Sequence, residues 1–198
     1  MHNLYDAPFL NYSPAVKVKP LEGTEVLAAI REPYFNRTLS HYSSHRNTPF
    51  KLENADHSAV IKKGNIIYIA SNLAEMYNDN GAKVHRDLFN NVLNLLHTEP
   101  MLKVELQSSG RTNLLYQPEK NRYVAHLLYG SPISRGDAQV IEDLVPIYNT
   151  KVVLNVSERI KSVRLIPENI SLEFSKTEEG VFITVPEFTC HTAVVFEY

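Results

Sequence analysis

Tryptophan is absent from the 198-residue sequence, and cysteine occurs once, as Cys190. A single thiol excludes an internal disulfide and a cysteine-based zinc site. The lack of Trp weighs against a sugar-binding module built on indole platforms, although Tyr is frequent at 11 residues. No stretch approaches the roughly 18 apolar residues of a membrane helix. No basic segment leading into an apolar one opens the chain, so it does not read as a signal peptide and a cytoplasmic location is expected. A net charge of −2 supplies no general attraction to nucleic acid or anionic lipid. Gly64, Gly81, Gly110, Gly130, Gly136 and Gly180 stand singly at turns, outside any GxGxxG or P-loop spacing. No serine occupies a nucleophile-elbow setting, and no cofactor is expected.

What remains is ordinary globular material: 43% hydrophobic and 21% charged residues, enough for a packed core. Asn3 to Pro8 reads as the middle of a loop, as though the chain began inside a larger fold. Ala15–Lys19 alternates apolar and polar and is expected to be a strand ended by Pro20. Glu25–Ile30 is mostly apolar, as in a strand buried on both faces. Residues 39–56 are polar and aperiodic, a long loop. Ser58–Lys63 and Asn65–Ala70 form a hairpin about Gly64-Asn65. Tyr77–Gly81 reads as a turn, and Ala82–His97 as an amphipathic helix through Val84, Leu88, Val92, Leu95 and Leu96, stopped by Pro100.

Beyond Pro100 the spacing changes to short alternating segments: Met101–Gln107, Asn113–Tyr116, Tyr123–Tyr129, Lys151–Val156, Val163–Ile166, Ser171–Phe174, Val181–Val185 and Thr192–Tyr198. Such strands separated by turns predict a sandwich. The expected architecture is α+β: an α/β part over 1–100, then an antiparallel β-sandwich over 101–198.

Three constellations bear on chemistry. The densest is Arg31, Glu32, Tyr34, Asn36, Arg37, His41 and His45, with Arg46, whose mixture of Arg, Tyr and Asn suits a protein interface. His41 and His45 would share a helix face and could hold a metal, but Ser43 and Ser44 between them disfavour a helix, and no carboxylate completes the set. Cys190 and His191 are neighbours, so in a strand their side chains point to opposite faces and form no nucleophile–base pair. The adjacent acids Glu142-Asp143 and Glu178-Glu179 resemble solvated turns rather than two carboxylates facing across a substrate. Catalytic and metal-binding residues are therefore not expected.

Several phrases resemble a known family. They are Arg31-Glu32-Pro33-Tyr34-Phe35-Asn36-Arg37-Thr38 with Ser44-His45 and Thr48-Pro49, Lys63–Tyr68, Gly81–Leu88, His126-Leu127-Leu128, Val140–Asn149, and Val185-Pro186 with His191, Val194 and Val195. In this order they resemble glycoside hydrolases with a β-galactosidase trimerisation domain. The resemblance implies a catalytic (β/α)8 barrel, then a flavodoxin-like domain resembling class I glutamine amidotransferases, then a terminal sandwich. This chain matches the later part of the middle domain and the sandwich only. It implies an accessory, oligomerising role in carbohydrate metabolism, with Arg31, Glu32, Tyr34, Asn36, Arg37, His41 and His45 lining an interface or the barrel's active-site mouth. The implied partners are further copies of the chain or a separate catalytic barrel. An independent carbohydrate-binding sandwich is the alternative.

Overall fold

The computed structural model describes residues 3–43 and 48–198. The chain divides into two compact units, one reaching Thr98 and one from Glu99 onward.

The first unit is built on three antiparallel strands in the order β1-β2-β3: β1 Glu25–Ala29, β2 Ser58–Lys63 and β3 Ile66–Ile69. Lys63 pairs with Ile66 across the Gly64-Asn65 turn, whose glycine has φ 56°, the left-handed conformation that glycine enters without a Cβ penalty. β1 lies at the sheet edge with Val26 exposed, not between two neighbours, so its apolar run is packed on one side only. Ala15–Lys19 is not a strand. Val18 makes one bridge to Ser58 and Val16 bonds to Ala70, while β2 is already paired with β1 and β3.

Two helices follow, α1 Leu73–Asn80 and α2 Lys83–Leu96. The segment read as a turn is the second half of α1, and only its end, Gly81 at φ 63°, turns. Asn72 caps α1: its side chain accepts from the Glu75 amide at 3.2 Å, satisfying one donor that the first turn leaves open, and is held there by donating to the Glu75 carboxylate at 2.9 Å. Leu88 and Val92 on α2 meet Leu73 and Met76 on α1 and Val60 on β2 in a small core. All described pairings in this unit are antiparallel.

The second unit is a two-sheet sandwich. Its strands are β4 Leu102–Val104, β5 Arg111–Gln117, β6 Arg122–Leu128, β7 Ile133–Arg135, β8 Ala138–Val140, β9 Ile147–Leu154, β10 Ser162–Ile166, β11 Ile170–Ser171, β12 Phe174–Thr177, β13 Gly180–Phe188 and β14 His191–Glu197. One sheet has the order β11-β10-β14-β6-β5 and the other β12-β13-β9-β4, with β7 and β8 forming a separate hairpin. Alternation places Ala125, Leu127, Val194 and Phe196 of the first sheet in one core with Val152, Leu154, Ile183 and Val185 of the second. The expected Ser171–Phe174 strand is two strands in different sheets, because the chain changes sheets between Ser171 and Phe174. The α+β class with a terminal antiparallel sandwich is what the chain adopts.

Candidate functional site

The Arg31–His41 residues lie on an excursion between β1 and β2, and its base is zipped by backbone bonds. Ala55 donates to the Ile30 carbonyl at 2.8 Å, Lys51 to the Glu32 carbonyl at 2.9 Å and Tyr34 to the Pro49 carbonyl at 2.9 Å. Arg31 Nε reaches Asn54 Oδ1 at 3.4 Å. The two arms therefore run antiparallel, which gives a long polar segment backbone partners outside regular structure.

Glu32 anchors the base electrostatically. Its carboxylate accepts from Lys17 Nζ at 2.7 Å and faces His57 Nε2 at 3.8 Å and Lys51 Nζ at 3.9 Å. The Lys17 hydrogen bond, followed by its charge, holds the Glu32 carboxyl below the usual carboxylate range. Beside it, Asp56 meets Lys19 at 2.5 Å and the buried His57 Nδ1 at 3.1 Å, and these hydrogen bonds draw its carboxyl down to about 2. Glu32 is thus a cation-bound brace.

The tip is different in character. Thr38 and His41 close a turn, with Thr38 N–H on the His41 carbonyl at 2.7 Å and His41 N–H on Thr38 Oγ1 at 3.1 Å. Phe35 tilts against the His41 ring at 6.2 Å between centroids. Tyr34, Asn36 and Arg37 are exposed, and the segment is not helical through Ser43. His45 and Arg46 lie outside the described residues. Leu39 projects wholly into solvent and Tyr42 is 72% exposed, and with Arg37 and Thr38 they line a shallow hollow of about 430 Å³. The sequence reading passed over Leu39 and Tyr42, and their signal was two apolar side chains inside a polar run.

Among the described residues no three His, Cys, Asp or Glu side chains gather to hold a metal. The carboxyls that depart from ordinary behaviour, Glu32, Asp56, Asp87, Glu158 and Glu197, all depart downward, through hydrogen bonds and cations. Cys190 sits in the β13–β14 turn at φ 62°. Its neighbour His191 turns to His126 on β6, with the ring nitrogens 3.1 Å apart, a cross-strand pair that sequence spacing did not foretell.

Over 88% of its length the chain matches 27% of a solved structure, alpha-L-fucosidase isoenzyme 2 from Paenibacillus thiaminolyticus, with 33% identity and a TM-score of 0.83. The chain is thus similar to part of a glycoside hydrolase. The chain spans about a quarter of the fucosidase's length. No protein-family model matches it, and no curated protein does. Among the described residues, no helix is long and apolar enough to cross a membrane.

Proposed function

We propose that this chain is a non-catalytic accessory and oligomerising region of a glycoside hydrolase, with the tip at Leu39 and Tyr42 as its docking element. The observation that carries the reading is the match of 88% of this chain to only 27% of a fucosidase. The build of the first unit supports it. Its described core has five buried apolar side chains, against fifteen in the sandwich, while Leu21, Leu39, Leu52, Ile66, Phe89 and Leu93 stay in water. Of these, Leu39 stands at the tip of the braced excursion, where the proposed contact would cover it.

Whether the parent enzyme hydrolyses β-galactosides, as the sequence resemblance implies, or α-L-fucosides, as the solved relative's name suggests, is part of the proposal, and both substrates belong in the test. The purified chain should release no chromophore from aryl β-D-galactoside or aryl α-L-fucoside. It should sediment as an oligomer at micromolar concentration, shifting toward monomer in Leu39→Asp and Tyr42→Ala, whose melting should stay within about 0.5 kcal/mol of the wild type. Turnover by the chain alone would sink the accessory reading, and a monomeric wild type would sink the docking role.

A further inference from the structure

The open end of the sandwich carries three tyrosines and a carboxylate that the reading above does not use. Tyr116 on β5 lies directly opposite Tyr123 on β6, and their rings stack at 4.8 Å with 25° between planes. Tyr198 packs on Tyr123 at 5.8 Å, and its hydroxyl donates to the Tyr116 hydroxyl at 3.3 Å. Tyr123 is buried and donates to Glu158 at 2.9 Å, and Ser157 donates to the second Glu158 oxygen at 3.2 Å.

An aromatic plug alone would explain the buried Tyr123. It does not explain Tyr116, which stays 53% exposed although Tyr123 stacks on its ring. A ring stacked on one neighbour offers a flat surface and not the walled cage that a quaternary ammonium requires. The neighbouring polar groups are on the Tyr198 and Tyr123 side: Tyr116 Oη, having accepted from Tyr198, can donate outward, and the Glu158 carboxylate, held by the Tyr123 hydroxyl, keeps acceptor capacity beyond its bonds to Tyr123 and Ser157. Glu158 is held below the usual carboxylate range by its own backbone N–H and by Tyr123, so it is an acceptor at neutral pH.

A ligand that fits must have one C–H-covered face for the electron-rich ring and hydroxyls at its edge. We infer that Tyr116, with the Tyr198 hydroxyl bonded to its own and the Tyr123–Glu158 pair behind its stacked face, is a binding platform for a single pyranose ring. The choice of a sugar over other amphipathic rings rests on the proposed place of this chain in a glycoside hydrolase, where it would hold saccharide away from the hydrolytic centre.

The test is an NMR titration of the full chain with L-fucose, D-galactose and their methyl glycosides. Saturable shifts with millimolar Kd are expected, weakening about fivefold or more in Tyr116→Ala and in Glu158→Gln, and held or tightened in Tyr116→Trp. Tyr116 is half exposed, so its variants should keep the wild-type circular dichroism. Absence of a saturable shift, or identical titrations of wild type and Tyr116→Ala, overturns the platform. That result alongside a chain that still assembles and hydrolyses nothing leaves the accessory role standing. Hydrolysis by the chain removes that role whatever the titration gives.

Discussion

Replacing Leu88 by alanine separates the two cores. Leu88 is 4% exposed and stands on the inner stripe of α2, where that helix meets Val60, Leu73 and Met76. Burial of a leucine side chain contributes about 1.5–3 kcal/mol by transfer alone, and the cavity left behind raises the cost of truncation to about 2–5 kcal/mol. Domains of this size hold roughly 5–15 kcal/mol in total. With five buried apolar residues in its described core, the first unit belongs at the low end, so Leu88→Ala removes most of what keeps it folded. The sandwich core shares no residue with that cluster. Hydrogen exchange by mass spectrometry reads the two separately. Peptides over 58–69 and 83–96 should lose protection by about 1.5 to 3.5 orders of magnitude, while peptides over 122–128 and 191–197 exchange as in the wild type. Retained protection over 58–96, or equal loss over 191–197, would refute the assignment of two cores with unequal reserves.

Further outcomes follow from single contacts. Gly180 has φ 132°, and a Cβ there would stand 2.4 Å from the Leu154 carbonyl oxygen, so Gly180→Ala should destabilise the sandwich by more than about 2 kcal/mol in a urea melt. A melt unchanged within error would mean that the β9–β13 pairing is looser than drawn. Asp87 is buried on α2 with its carboxyl lowered first by the Lys83 hydrogen bond and then by Arg86. A carboxyl with a folded pKa below its unfolded one stabilises fully above the unfolded value near 4 and loses that contribution as pH falls through the folded value. Stability of the first unit should therefore fall below about pH 4 in the wild type, and Asp87→Asn should be weaker at pH 7 with a flatter acid limb. An equally steep limb in Asp87→Asn would assign acid sensitivity to other groups.

The parts of the fold legible in the sequence were those where periodicity and packing agree. α2 announced itself because Val84, Leu88 and Val92 recur at helical intervals and because its inner stripe is the core. α1 did not, since two buried residues, Leu73 and Met76, are too few to show a period, and its signal was the Asn72-x-x-Glu75 cap. The Gly136-Asp137 turn between β7 and β8 is a two-residue hairpin signal that the exposed flanks obscured. The first half of β9 was hidden by Asn149, held at φ 53° inside the strand. At the loop, polarity and length were visible, whereas the brace on Glu32 depends on Lys17 and His57 from distant positions and only the folded chain brings them together. The absence of Trp had counted against sugar recognition, yet the platform proposed at Tyr116 needs only a tyrosine left half exposed.

β14 carries a consequence of its own. Thr192 through Phe196 are all buried, with Val194 and Phe196 on the inner side and Ala193 and Val195 against Val124 on the outer. A slip of one residue exchanges those two sets, and in most strands polarity forbids it. Between Thr192 and Phe196 polarity scarcely tells the sets apart and volume does: a slipped strand would offer Val195 to the space shaped for Phe196 and Ala193 to that of Val194, and would strand the phenyl ring outside. The pairing of this central strand is thus written in size, with the tight turn through Cys190 to count the residues.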